Sequence, residues 1–446
     1  MKPHSQPRSR RRLLHLLPAF FLGAFIASPV RAGDEMTPPA VGQSSVSQQT
    51  KGFWDQQYML GDWGGERTRL EKEGIKFDFN DIGDFLTDVT GSQPHHLTYF
   101  GRFRASMDID FSKLANVDSE FFFSGIYQYG RNLTGDYLHT NTLTSSIAGV
   151  ESERIDQMWY KQYLFDHKFA ITFGQVAAVN EFGATDFFDI LMNDELGYAP
   201  NALFSTRQPF SPAGKPGVII WGDLSGIAKG LYAKAGVFTS DGNSPYRPDS
   251  NGVYYYNDFE HGIAEAAEIG YKEPDTIYNG TYKVGVNLDQ GELYLNPATG
   301  QNYHEDINVY GIVEKTVYHP IGTDGKIDAD RGLDLLAEFV GAPGDRNALQ
   351  YEFTFGGRYT GLFPDRPEDK VGFGVIYSDN GEAFSEASLN AGGPGLGGET
   401  TLEVDYQYNP APWLSIQPDL QYIIDPSGIQ SRENILVAGL RTIVRF

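Results

Sequence analysis

Cysteine is absent from all 446 residues, so no disulfide staples this fold and no thiolate carries its chemistry. Long apolar runs are missing too, apart from Leu13 to Ala27 near the start. A hydrophobic fraction of 40% is low for a chain that crosses a bilayer with helices. Positive charge is scarce: 35 Lys and Arg against 58 Asp and Glu leave a formal net charge of -23. So acidic a chain has no basic surface to neutralise phosphates, which excludes nucleic acid as a partner. Catalytic and metal constellations are thin. His95-His96 has no partner at metal spacing, Asp324, Asp328 and Asp330 miss the calcium-loop pattern, and Ser106 and Ser415 lack an identifiable histidine base. The glycines of Ala391 to Gly398 read as a loop tip, without the strand, helix and lysine of a phosphate loop. No enzyme activity, cofactor or metal is expected.

The apolar run follows Lys2, Arg8, Arg10, Arg11 and Arg12 and precedes Val30-Arg31-Ala32, the order of a secretory signal peptide. Residues 1–32 are therefore set apart from the fold, and without them the charge is near -29. Gly33 to Gly52, rich in Pro, Ser, Gln and Thr, reads as a flexible mature N-terminus, leaving 53–446 as one domain. The acidity fits divalent-cation-bridged contact with a polyanionic surface or a cation-biased pore, and equally the plain solubility of long loops.

What the chain has in abundance is glycine (51), tyrosine (26) and phenylalanine (30), a composition that favours β structure. One early helix is expected within Leu60 to Ile75, capped by Asp62, supported by an Arg67–Glu71 pair and stopped at Gly74. After Ile75 the period becomes two. Leu414, Ile416, Leu420, Tyr422 and Ile424 alternate with Ser415, Gln417, Asp419 and Gln421. Leu436, Ala438, Leu440, Thr442, Val444 and the terminal Phe446 share a face opposite Arg441 and Arg445. Phe103, Ala105, Met107, Ile109 and Phe111 alternate with Arg102, Arg104, Ser106, Asp108 and Asp110, and the pattern recurs at Leu349 to Tyr359 and Leu402 to Asn409. Weaker versions run through 169–175, 231–238, 282–288, 307–317, 333–339 and 371–377, with turn signals between. Strands of about ten residues fit stacked sandwiches as well as a barrel, but the signal peptide, the terminal aromatic and the lack of a second compositional zone favour an all-β, closed antiparallel outer-membrane barrel of about 16 strands, apolar outward and polar inward. Asn180 to Pro200 is too irregular for a strand and too apolar for a free loop, and it is expected to fold inward and narrow the pore.

These residues resemble the carbohydrate-selective porin family of pseudomonads. The resemblance is carried by LGDWGGERTRL with Gly74-Ile75, by Asp108 to Leu114, by Gln157 to Gln162 leading to Phe173-Gly174-Gln175 and Asn180-Glu181-Phe182, and by NPAPWLSIQPDLQYIIDPSG with AGLRTIVRF. It covers Phe53 to Phe446; residues 140–156 and 241–262 depart from it. It implies a sixteen-stranded barrel in the outer membrane of a Gram-negative bacterium, working as a monomer and passing mono- and oligosaccharides down their gradient. Lipid and lipopolysaccharide would surround it, and the barrel-assembly machinery would take the chain by Phe446.

A sugar channel needs a constriction whose fixed polar groups replace the water that sugar hydroxyls lose, and aromatic faces for the CH side of the ring. Arginine donates and carboxylate accepts, and each holds the other in place between passages. The inward parity nominates Arg102, Arg104, Asp108, Glu352, Arg358, Asp419 and Gln421 as pore-lining, against the plain reading of solvated or wall-stiffening charges. Trp159 is nominated as a stacking platform against membership of an interfacial aromatic girdle. Two rivals stay open: a general, weakly cation-biased diffusion pore, and a barrel enzyme or adhesin acting through loops such as Tyr254 to His261.

Overall fold

Period-two alternation folds into sixteen strands that close on themselves: β1 (Ile75–Asp88), β2 (Leu97–Asp110), β3 (Ser119–Gly130), β4 (Ser152–Leu164), β5 (Phe169–Val176), β6 (Lys215–Asp223), β7 (Leu231–Thr239), β8 (Ile263–Lys272), β9 (Gly280–Leu295), β10 (Asn302–Tyr318), β11 (Gly332–Gly341), β12 (Leu349–Thr360), β13 (Lys370–Asn380), β14 (Gly398–Ala411), β15 (Leu414–Ile424) and β16 (Ile435–Arg445). The structure, a computed structural model, describes residues 52–91, 94–149, 151–185, 190–195, 205–240, 252, 262–274, 276–322 and 325–446. The expected signal peptide, Gly33 to Lys51 of the expected N-terminal arm, Asp324 and Tyr254 to His261 lie outside the described residues. Every strand pairs antiparallel with its sequence neighbours, and β1 meets β16 in a register running from Asn80↔Arg445 to Asp88↔Val437. Closure leaves no strand edge, which is what allows a sheet to stand in hydrocarbon.

The outer wall is apolar. Phe85, Met158, Val237, Val284, Phe353, Val404 and Leu420 are all exposed there, while Asp84, Asp156, Glu268, Asn287, Glu338, Glu403 and Gln421 point inward and are buried. β1, β3, β4, β6 and β8 carry weaker sequence signals than the strands singled out above. A helix at Glu382–Asn390, before the glycine-rich tip, was not foreseen.

At the end of the barrel that carries both termini, a short helix, Glu66–Lys72, lies over the seam. Asp62 accepts from the backbone and hydroxyl of Thr68 at 2.8 and 2.9 Å, and Gly74 ends the helix at a φ of +92° that suits only glycine. The expected Arg67–Glu71 pair is replaced by a longer-range contact. Arg67 lies over the rings of Tyr58 and Trp63, 3.6 and 4.3 Å from their centroids, and donates to the C-terminal oxygen of Phe446 at 2.8 Å. Phe446 N–H donates to Phe79 O at 2.9 Å, so the last residue is held at both ends. Arg69 takes the surface pairs instead, with Glu66 and Glu73.

Two connections fold into the barrel from the opposite end. The segment between β5 and β6 includes Phe182, Ile190, Met192 and Asn193, all fully buried, as expected for Asn180 to Pro200 over its described part. The segment between β3 and β4 also enters, bringing Leu133, Leu138 and Ile147 against the inner wall. That second inward loop spans much of the stretch that departs from the family pattern.

Candidate functional site

The narrowing begins with how the β5–β6 loop is anchored. Phe182 meets Phe238 edge to face at 6.2 Å, over a floor of Ala264 and Ala266. The ring of Phe238 lies on Gly236, where a Cβ would come within 2.5 Å of it. Glu268 ties the same segment electrostatically. It accepts from Gly183 N–H at 2.9 Å, Tyr232 OH at 3.1 Å and Tyr310 OH at 2.9 Å. Lys234 Nζ donates to Glu181 O at 2.5 Å, and Lys283 Nζ, 3.4 Å from Glu314, also reaches Ala184 O.

Further along the same segment, Ile190 and Leu191 pack on Tyr310, Ile312, Leu336, Val340 and Ile376 of the far wall. Met192 then joins Leu133 and Leu138 of the other inward loop. Backbone N–H groups of Met192 and Asn193 donate to Glu403, and Asn193 Nδ2 donates to Gln421 at 3.2 Å. The loop thus crosses the lumen from the β7–β10 wall to the β14–β15 wall.

The inward arginines and glutamates gather on opposite sides, with Asp108 and Asp156 among the arginines and Arg358 among the glutamates. Arg102, Arg104 and Arg154 face inward from β2 and β4, and Glu314, Glu338 and Glu352 from β10 to β12. β3 and β11 are eight places apart in a ring of sixteen, so the basic and acidic walls face each other. Arg104 reaches Asp156 at 2.9 Å, and Arg358 reaches Asp334 at 2.9 Å. Neither oxygen of Glu338 or of Asp108 accepts a hydrogen bond from any described residue.

Glu195, on the inward loop, faces Glu352 and Glu338; burial, and then the charge of Glu352, hold its carboxyl well above the ordinary carboxylate range. Such a group is neutral at low pH and gains its negative charge as pH rises through the raised value. Cation selectivity in planar bilayers is expected to climb as pH rises through that raised value, and Glu195→Gln to flatten the climb. A profile identical in the variant would assign the titration to another group.

All seven charged or amide residues nominated from parity are on the lumen side, but they do not form one cluster. Arg102, Arg104 and Asp108 lie on β2, Glu352 and Arg358 on β12, and Asp419 and Gln421 on β15. Trp159 is a correction to the girdle reading. It points inward, 8% exposed, its ring 5.2 Å from Phe122 and beneath the loop residues Ala177, Ala178 and Phe182. It props the loop and presents no open face. His95 and His96 find a partner that spacing did not reveal, Asp88, at 3.5 and 3.6 Å. The reading also missed Asp84, whose oxygens take Arg441 at 2.8 and 2.7 Å, together with Asp156, Lys283, Glu338, Glu403 and Asp405. Parity on their strands was the available signal; it was strongest for Glu403 and Asp405.

A family model described as carbohydrate-selective porin, OprB family, matches residues 94–446. Porin B of Pseudomonas aeruginosa is 24% identical over 453 residues, covering 90% of this chain and 94% of that protein. A putative porin, QuiX, of Acinetobacter baylyi is 25% identical over 440 residues, covering 88% and 94%. The high-pH structure of Pseudomonas putida OprB superimposes with a TM-score of 0.81 at 22% identity, over 89% of this chain and all of that one.

Proposed function

Because the chain belongs to the carbohydrate-selective porin, OprB family, and is a sugar channel of the Gram-negative outer membrane rather than an enzyme, we propose that a sugar passes between the arginine wall and the carboxylate wall of its lumen. Arg102 and Arg104 donate to sugar oxygens on one side. Glu352, with Glu338 beside it, accepts from hydroxyls on the other, and Asp108 accepts nearer the end that carries the termini. The supporting observation is that buried carboxylate oxygens at Glu338 and Asp108 accept no hydrogen bond from any described residue, since a buried acceptor left empty costs about 1–3 kcal/mol. Hydroxyls entering such a site recover that cost in passing. Arg358 and Asp334 form a pair that stiffens the wall, and Gln421, which donates to Asp419, holds the inward loops at Asn193 and Thr144. No group gives or takes a proton in the passage; the gradient alone drives it.

The experiment is block of single-channel current by glucose, with liposome swelling in sugars and size-matched amino acids. Loss of charge-assisted hydrogen bonds worth about 1.5–3 kcal/mol predicts that Arg102→Ala with Arg104→Ala weakens glucose block roughly tenfold or more, while the barrel keeps its heat resistance in detergent gels. Unchanged block would remove both arginines from the sugar path.

The same reading extends to how the chain reaches and occupies its membrane. Residues 1–32 carry the export signal, supported by the basic, apolar and small-residue order of Lys2 to Ala32. Residues 53–446 form the barrel domain after a flexible arm. Phe446 is the handle for the assembly machinery, supported by its place on the closing strand. Exposed apolar side chains running round the wall from Phe85 to Leu420 support solvation by lipid, the family resemblance leans to a monomer, and the acidity supports cation-bridged contact with lipopolysaccharide.

A further inference from the structure

Glu403 and Asp405 on β14 and Asp419 on β15 bring three carboxylates to one spot on the inner wall. Asp405 and Asp419 are directly opposite in the strand register, and Glu403 is two residues along on the same face. All three are buried, none more than 3% exposed, and one oxygen from each lies within 4.8 Å of the other two. Three like charges this close in a dry wall repel strongly unless something positive sits among them. The neighbouring cation, Arg441, opposite Gln417 in the register, acts on the trio by its charge from one side and gives both arms of its guanidinium to Asp84.

Gln417 points to a ligand independently of the acids. It is fully buried, its Nε2 donates to Asp405 Oδ1 at 2.7 Å and also to Ile190 O of the inward loop, and its carbonyl Oε1 accepts nothing from any described residue. Asp405 Oδ2 is likewise without a donor among the described residues. Two buried oxygens beside a carboxylate trio thus remain without a donor, and a cation would satisfy both.

We infer that Glu403, Asp405, Asp419 and the Gln417 carbonyl bind one hard divalent cation, of the calcium class, on the channel wall. The donors are all oxygen, which selects against zinc and copper. Calcium–oxygen distances of about 2.3–2.6 Å span oxygen pairs up to about 5 Å apart and tolerate an irregular set completed by water, whereas magnesium demands a tighter octahedron. The site also has a mechanical consequence. Glu403 accepts from the backbone of Met192 and Asn193, so the ion fastens the inward loop to the β14–β15 wall. The inference concerns the wall and uses nothing about which solute passes.

The test is calorimetric titration of calcium chloride into the full chain, purified in detergent and stripped with chelator, at pH 7.5, with magnesium chloride as a parallel arm. The expected result is one calcium per chain, bound at least tenfold more tightly than magnesium. Asp405→Asn and Asp419→Asn should each weaken calcium at least tenfold. Both are isosteric and remove repulsion, so heat resistance in gels should persist and certify folding. Gln417→Met, which alters no charge, should weaken calcium severalfold. Absence of stoichiometric calcium at millimolar concentration would overturn the site and leave the trio neutralised by shared protons alone. Wild-type affinity in all three variants would overturn it equally, by placing the ion elsewhere.

Discussion

Phe182→Ala is expected to widen the channel. The side chain is fully buried inside the barrel, and its ring packs on Phe238 and the alanine floor of β8. Truncating a buried phenylalanine costs about 3–5 kcal/mol. Here the cost falls on docking of the loop rather than on the wall, because the ladder hydrogen bonds of sixteen closed strands do not involve it. A loop held by a few kcal/mol opens locally long before the barrel unfolds. The polar ties nearest to it, Glu268 to Gly183, Lys234 to Glu181 and Lys283 to Ala184, join groups within two residues of the lost anchor, while Ile190 to Asn193 stay fastened to the far walls. Single-channel conductance should therefore rise, and liposome swelling in disaccharides should approach that in monosaccharides, while heat resistance in detergent gels stays as in the wild type. Conductance and size discrimination that both stay put would show that the loop is held without Phe182.

The second large effect is expected at the seam. Asp84 and Arg441 face each other directly in the β1–β16 register, both buried, in a two-pronged bond. Ser145 donates to Asp84 at 2.7 Å and Arg441 donates to Ser146 at 3.1 Å, so the pair also grips the β3–β4 loop. Removing one partner of a buried pair strands the other charge, at about 3–5 kcal/mol, whereas removing both is often nearly neutral. Arg441→Met is expected to lower the gel-unfolding temperature markedly, and Asp84→Asn in the same chain to restore most of the loss. Equal behaviour of the single and double variants would mean that the seam does not depend on this charge.

The strands that were easy to read and those that were not differ for one reason. β15, β12 and the Arg102–Asp110 part of β2 have a wet inner face and an oily outer one, so their alternation is plain. β8 reads IAEAAEIGYK because Ala264 and Ala266 face inward under Phe182 and Phe238. β3 carries Phe122 and Ile126 inward as well as Phe121 and Phe123 outward. Where a loop packs on the inner wall, both faces of the strand are apolar or small, and the period-two signal fades. The weak patches of the pattern therefore marked where the loops dock. The helix Glu382–Asn390 had no such local signature: glycine precedes it, and no side chain caps its start.

Which way each side chain points was decided by the chain itself, since successive residues of a strand alternate sides by covalent geometry. Arg102, Arg104, Asp108, Glu352, Arg358, Asp419 and Gln421 could accordingly be assigned to the lumen with no fold in hand. Which charges meet was not. Asp84 finds Arg441 across 357 positions, Arg104 finds Asp156 across 52, and Glu403 finds Met192 only because a loop from the far wall crosses to it. Those distances depend on ring closure, on register and on the path of two inward loops. Such contacts are summed over the whole barrel and leave no trace in any ten-residue window.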